Sequence, residues 1–564
     1  MTRPEDLSLT HETLGAVPLV DHFLDRLHID EFLEEAVRSS SLMELPYART
    51  LGIFLRNFIL DRGPVYALEE RTAPFAPELF RLALEEIRLL NDDRAGRALE
   101  ALFDADRASL LNRVVIQAVR EFHLDLAELH NDSTSITFTG EYPEADGRWM
   151  RGKPTVALRR SVANKDHRPD LKQVLWNLTV TFDGAVPVRC QIHDGNTEDS
   201  TTHIENWEAL RLLVGSPNFL YVADCKLCTE AAMLHIHGKG GRFLTILPES
   251  RKEEGWFREH VRTNEVVWAD VPPESGEGKG EVPVLWRTAE SPLRSKEGFR
   301  IVWVWSWEKQ VRDQAFRQTA ILRATKHLEE LEKKLQRPRC RIHTREGVVQ
   351  AAERAVGSAG RWLGYEIREE AVPRFTQERR GRPGKDTRYR REDRARFHVG
   401  WTVREDVVAA DSASDGMFPL ITNDEKLAGG ELLKRYKTQA RVEKRHQQLK
   451  TVYRVAPVFL KKATRVEGLL TLYFLALLVQ ALIEREVRQG MAKEKLAGLP
   501  IYPEKRLAKA PTTNRMLEVL GPVMVSHLRE KEKHVRNFLT ELTPVQKEIL
   551  RLAGVPLEAY TRYA

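Results

Sequence analysis

From the N-terminus to about residue 120, apolar positions recur at helical spacing. ELFRLALEEIRLL (78–90) and LLNRVVIQAVREF (110–122) are examples, and few β-branched runs interrupt the pattern. This predicts a helical region over 1–122. Near residue 125 the pattern changes to β-rich segments: LAELHNDSTSITFTG (126–140), LKQVLWNLTVTFDG (171–184) and AVPVRCQIHDG (185–195). The Asp-Gly pair at 183–184 is a hairpin-turn signal between the last two. TTHIENWEALRLLVG (201–215) predicts a helix, with Asp199 and Ser200 as capping residues before it. NFLYVAD (218–224) predicts a short buried strand ending in an acid; CTEAAMLHIHG (228–238) a second helix; GRFLTILPES (241–250) a further strand. The order predicts an α/β sheet that opens as an antiparallel meander and closes with parallel crossovers.

Residues 250–430 follow another pattern. They hold a Gly/Pro-rich loop (270–283), a Trp-rich strand FRIVWVWSWEK (299–309), a long amphipathic helix (320–337) and a loop, RRGRPGKDTRYRREDRAR (379–396), with nine Arg and Lys. This stretch reads as a β-rich insertion. A basic helical segment (431–450) follows, then the apolar run LLTLYFLALLVQALI (469–483), too short for a comfortable bilayer span and expected to be a core helix. The remainder, 489–564, is expected to be helical.

Composition narrows the class. With 564 residues, 42% hydrophobic and 30% charged, the chain exceeds one ordinary core and fits a multidomain soluble protein. The net charge of +6 allows an anionic partner without demanding one. Four cysteines make no disulfide framework, and MTRPEDLSLTHET lacks a basic stretch followed by an apolar run. A cytoplasmic protein with no membrane partner is the expectation.

Three acids stand out by context. Asp132 lies in HNDSTSI, Asp224 directly follows FLYVA, and Glu443 sits in YKTQARVEKRHQQLK (436–450) among Lys437, Arg441, Lys444, Arg445 and Lys450. Carboxyl ends of strands are where open α/β sheets bind ligands. Three carboxylates converging there would bind hard cations, Mg²⁺ or Mn²⁺, through oxygen. On one continuous helix Tyr436, Glu443 and Lys450, seven residues apart, would share a face, with Tyr436 and Lys450 placed to hold backbone phosphate. The bland alternatives are a turn-forming Asp and a solvated basic helix.

The spacing Tyr-x2-Gln-x3-Glu-x6-Lys at 436–450 resembles the Tyr-x2-Arg-x3-Glu-x6-Lys signature of bacterial insertion-sequence transposases of the DDE class. NDSTSITF, SVANKDHRPDLKQVLWNLTV (161–180), DGNTEDSTT (194–202), VADCKL (222–227) and DGMFPLITN (415–423) resemble other segments of that family in the same order. The resemblance spans about 125–485 and implies an RNase H-like core. That core would occupy 123–249 and 431–488, interrupted by the insertion at 250–430. The N-terminal region 1–122 would bind DNA ends, and the C-terminal region 489–564 would dimerise. It further implies cleavage at transposon ends and strand transfer into target DNA. Asp132, Asp224 and Glu443 would be catalytic ligands of two Mg²⁺ or Mn²⁺ ions. The partners would be double-stranded DNA, as terminal inverted repeats and target, and a second copy on DNA; the location would be the bacterial nucleoid. Tyr436, Gln439, Arg441, Arg445 and Lys450 would contact DNA. Gln439 departs from the family's Arg, and a neutral amide supplies no charged fork. An inactive DNA-binding regulator and a nuclease without strand transfer are the alternative functions.

Two further features offer DNA contacts. RRGRPGK (379–385) resembles a minor-groove AT-hook through Arg379, Arg380 and Arg382. Trp303, Trp305 and Trp307 alternate along the Trp-rich strand, so they are expected on one face, where they either pack in a core or, for Trp303 and Trp305, stack on an unpaired base.

Overall fold

The computed structural model describes residues 7–40, 42–60, 67–161, 168–272, 285–337, 340–452, 460, 462–531 and 533–564. Most of the Gly/Pro-rich loop at 270–283, and residues 162–167 of the 161–180 segment, lie outside these. The fold is mixed α/β. It divides into two compact units, Met1–Thr245 with Lys434–Ala564, and Ile246–Leu433.

The first unit is built on five core strands: β1 (Glu128–Phe138), β2 (Lys172–Thr181), β3 (Pro187–Asp194), β4 (Leu220–Ala223) and β5 (Arg242–Ile246). Their order is β3-β2-β1-β4-β5. The first three run antiparallel, and β4 and β5 join parallel. The meander closes through the Asp183–Gly184 turn, where Gly184 has φ +87° and Ala185 φ +50°. A side chain at 184 would meet the Arg485 stem at 2.9 Å, so the position requires glycine twice over. Parallel pairing needs crossovers, supplied by helices α1 (His203–Val214) and α2 (Glu230–Gly238).

The run at 469–483 belongs to a longer helix, Ala463–Lys493, buried without interruption from Val466 to Arg485. It is long and apolar enough to cross a bilayer, yet its most apolar window is wholly enclosed by protein. It packs on the helices Tyr47–Leu60 and Asp92–Asp104. At Gly468 the approach is closest: an added Cβ would lie 2.4 Å from the Leu99 carbonyl oxygen. Gly→Ala inside a helix ordinarily stabilises by up to about 1 kcal/mol. Here backbone blocks the methyl, so Gly468→Ala is expected to destabilise by about 1–3 kcal/mol, read from urea denaturation midpoints.

Both chain ends correct the all-helical expectation. Leu7–Thr13 is a strand paired antiparallel with Met524–Glu530, which pairs in turn with Lys533–Leu539. Leu7–Thr13 escapes local reading because its partner strand lies about 515 residues away in the chain. The hairpin of Met524–Glu530 with Lys533–Leu539 escapes it because Lys531, at φ +47°, stands where turn signals would place Gly or Asn.

In the second unit, β6 (Ala269–Val271), β7 (Trp286–Glu290) and β8 (Arg300–Ser306) precede helices α3 (Trp307–Leu335) and α4 (Arg345–Val356). Then come β9 (Leu363–Gln377), β10 (Tyr389–Val403) and β11 (Met417–Thr422). β6, β7, β8 and β11 form an antiparallel array in the order β11-β8-β7-β6. β9 and β10 make a separate ribbon of 15 paired positions. The base of the ribbon is anchored by Phe397 and Val399 against Leu328, Leu331 and Val348 of α3 and α4. The insertion is thus helical as well as β-rich. Ser306 Oγ accepts from the Lys309 N–H and caps α3, so Trp307 opens the helix and only Trp303 and Trp305 lie on the strand.

Candidate active site and nucleic-acid contacts

The parallel register of β1 and β4 pairs Asn131 with Ala223. One residue further on, Asp132 and Asp224 stand level at the carboxyl end of β4. Neighbouring strands lie roughly 4.8 Å apart, so the two carboxylates are near neighbours. β4 is entirely buried, which fixes its end rigidly. Asp224 also caps the short turn Cys225–Leu227, its Oδ1 accepting from the Lys226 N–H at 3.0 Å. The capping reading of Asp224 therefore holds alongside any ligand role, since the second oxygen is not used by this bond.

Glu443 lies on the short helix Ala440–Gln447 and is exposed. The same helix turns His446 inward, with Nε2 3.5 Å from Asp132 Oδ2. No sequence motif marked His446; it stands three residues after Glu443 and becomes visible only once the helix is placed against β1.

The Tyr436 hydroxyl lies within electrostatic reach of the three acids. Burial pushes its phenol well above the ordinary range, and the charges of Asp224, Cys225, Asp132 and Glu443 push it further. Its hydroxyl therefore stays protonated under the field of the three carboxylates.

The signature segment is not one continuous helix. Gly429–Lys437 ends, a turn follows at Thr438–Gln439, and Ala440–Gln447 resumes. Gln439 N–H donates to the Tyr436 carbonyl and Val442 N–H to the Gln439 carbonyl, a three-residue spacing that tightens the turn. From Gln448 to Val452 the chain widens into a π-helical turn carrying Lys450. The uniform seven-residue face expected for Tyr436, Glu443 and Lys450 is therefore replaced by two offsets, one tight and one wide.

Gln439 makes the tight turn. It is buried; its Nε2 donates to the Asn131 carbonyl at 2.6 Å, and its Oε1 lies 3.2 Å from His130 Nδ1. His130 Nε2 lies 2.9 Å from Glu128, which also pairs with Arg435. This inward network pins the β1 backbone one residue before Asp132. Gln439 consequently faces protein, which corrects its expected DNA contact, and Arg435 supplies the positive charge beside it.

Arg445 is corrected for the same reason. It is buried, with Nε donating to Ala185 O at 3.0 Å and Nη2 to Gly184 O at 2.9 Å, and it pairs with Glu484 at 2.9 Å. Removing a buried partner strands the other charge. Arg445→Gln is expected to cost about 3–5 kcal/mol of stability, measured by thermal or denaturant unfolding. Arg441, in contrast, is exposed, its guanidinium 5.8 Å from the Phe182 ring centroid and donating to Phe182 O at 3.0 Å.

In the second unit, Trp303 is fully buried and stacks on Phe257 with centroids 4.1 Å apart and planes 9° from parallel. That corrects its expected base contact and assigns it to core packing. Trp305 is half-buried, with Arg287 5.1 Å from its ring centroid. Arg379, Arg380 and Arg382 sit at the exposed tip of the β9–β10 ribbon.

Among the described residues, no three His, Cys, Asp or Glu side chains are grouped closely enough to hold one metal ion as they stand. The donors fit a hard divalent cation by chemistry: carboxylate oxygens, one inside the strand β1 (Asp132), one at the end of β4 (Asp224) and the third on the exposed Glu443.

No protein-family model matches the chain, and no curated protein matches it. Among solved structures the chain is similar to the piggyBac transposase in a cryo-EM synaptic complex with hairpin DNA. The TM-score is 0.38 and the sequence identity 9%, over 89% of this chain and 79% of that one.

Proposed function

We propose that the chain is a DNA transposase of the DDE class, with an RNase H-like core formed by β1–β5 and the signature helix. The observation behind this reading is the parallel register that pairs Asn131 with Ala223 and so brings Asp132 level with Asp224, with Glu443 on the helix whose His446 lies 3.5 Å from Asp132. The strand order β3-β2-β1-β4-β5 supports the core assignment.

In this reading Asp132, Asp224 and Glu443 would hold two Mg²⁺ or Mn²⁺ ions. Bound there, such ions supply Lewis-acid stabilisation to the attacking and leaving oxygens of a phosphodiester displacement. The chain's own residues do the positioning. β1 and β4 hold two carboxylates at fixed spacing, and the Gln439 network fixes the β1 backbone beside them. His446, 3.5 Å from Asp132, would steady that carboxylate when charged, and protonated Tyr436 would donate toward the phosphate. Arg441 and Lys450, with the ribbon tip carrying Arg379, Arg380 and Arg382, attract the DNA backbone. Half-buried Trp305 offers a stacking face. Terminal-repeat DNA, target DNA and a second copy of the chain are the partners, and the nucleoid is the place of action.

One observation favours a non-cutting DNA-binding relative: the three carboxylates do not close into a ready ligand cluster. Titration calorimetry with Mn²⁺ separates the two readings. Saturable binding that disappears in Asp132→Asn supports the transposase; no Mn²⁺ binding by the wild type, with or without DNA, supports the relative.

A further inference from the structure

A second polar cleft, of about 810 Å³, lies in the first unit on the other side of the signature helix. The helix lines it with Arg441, Lys444 and Arg445, and the π turn that follows adds Gln448. At 100° per residue this face is opposite the one that carries Glu443 and His446. The long core helix adds Glu484, Arg485 and Arg488, and the β2–β3 turn adds Asp183.

Five cationic side chains thus meet two acids, an excess of three positive charges. Both acids are committed. Asp183 Oδ2 takes Arg485 at 2.6 and 2.9 Å. Glu484 Oε2 takes Arg445 at 2.9 Å and Arg488 at 3.3 Å, and its Oε1 accepts from the Thr513 N–H at 3.0 Å. Arg445 spends its remaining donors on Gly184, Ala185 and Gln448, which makes it part of the wall. Among the described residues of the cleft wall, Arg441 and Lys444 have no acid of their own. Arg488 shares Glu484 with Arg445 and donates Nε and Nη2 to the Pro511 carbonyl at 3.0 and 2.8 Å, so Arg441 and Lys444 are the main oxyanion donors and Arg488 contributes chiefly its charge. Burial lowers the Arg488 guanidinium from its ordinary value, and Arg445 and Arg441 lower it further against the pull of Glu484. A concave wall of one sign concentrates the field and attracts counter-charge. Asn514, also in the wall, has its Oδ1 buried without a hydrogen bond. Asp183 Oδ1, likewise buried without a bond, is an acceptor for a protonated oxygen.

We propose that this cleft is a phosphate-binding site, separate from the carboxylate site, in which Arg441 and Lys444 bind the oxyanion, with the positive charge of Arg488 beside them, on a frame fixed by Arg445 and Arg485. The phosphate is either a backbone phosphate of bound DNA or that of a free small anion, and both have the same chemistry. Arg and Lys provide charge-assisted donors of the kind phosphate takes.

The test is titration calorimetry of the full chain with sodium pyrophosphate, at low ionic strength and without divalent metal. The wild type is expected to bind saturably at one site. The double variant Arg441→Gln, Lys444→Gln removes two exposed charges and leaves the buried frame intact; it is expected to bind at least tenfold more weakly. Glu443→Gln, altered only at the carboxylate site, is expected to bind as the wild type does. Absence of saturable binding, or equal affinity in the double variant, overturns the site. A 20-base-pair duplex then identifies the source. Competitive displacement of pyrophosphate by the duplex assigns the site to DNA backbone, and simultaneous binding of both assigns it to a free anion. Because no metal is present and Glu443→Gln is a control, failure here leaves the carboxylate reading untouched.

Discussion

Glu443→Gln is expected to abolish metal-dependent DNA cutting, by on the order of 10³-fold or more, with the fold unchanged. Gln keeps the size and polarity of Glu but not its charge. If Asp132, Asp224 and Glu443 share two divalent ions, removing one charge weakens the ligand set and the stabilisation of the charged transition state together. Stability is expected to stay within about 0.5 kcal/mol, because Glu443 is exposed and its side chain carries no packing. Asp132→Asn should behave alike in cutting. The measurement is the rate of phosphodiester cleavage with Mg²⁺ or Mn²⁺, paired with a thermal melt of each variant. Loss of cutting together with loss of folding would assign Glu443 a structural role.

The second large effect concerns the ribbon tip. Replacing Arg379, Arg380 and Arg382 with Gln is expected to weaken DNA binding by on the order of 10²-fold at low salt. Each phosphate contact contributes roughly 0.9 to the slope of log affinity against log salt. The slope should therefore flatten by about 2 to 3 if all three arginines touch phosphate. The tip is exposed and far along the ribbon from the Phe397 and Val399 anchor, so folding should not change. Fluorescence anisotropy across a salt series reads both quantities. An unchanged slope would return the tip to the status of a solvated basic loop.

Much of the architecture around the carboxylates is written in local pattern. The buried run FLYVA reads directly as a strand, and its pairing with β1 places Asp224 beside Asp132. The Asp183–Gly184 turn is equally local, because the backbone there needs positive φ. What local pattern misses depends on partners distant in sequence. Gln439 reads as a weakened DNA contact until the β1 carbonyl it binds, some 308 positions away, is known. Arg445 looks like one more surface charge until the carbonyls of Gly184 and Ala185 take it inward. Trp303 and Trp305 share a strand face, yet Phe257 covers only the first of them. The seven-residue spacing of the signature assumes an unbroken helix, and no periodicity rule reports a tight turn followed by a π turn. The N-terminal strand Leu7–Thr13 is hidden for the simplest reason: its partner, Met524–Glu530, lies at the other end of the chain.

The account stands most directly on the fate of DNA at the carboxylate site. The wild-type chain should be incubated with end-labelled DNA carrying its gene's own flanking sequence, in Mg²⁺ and separately in Mn²⁺, and the new 3′ ends mapped to the nucleotide. The account predicts a break at one discrete position on each flank, absent in EDTA, and product joined to added target DNA. DNA that is bound but left uncut with either metal would contradict it.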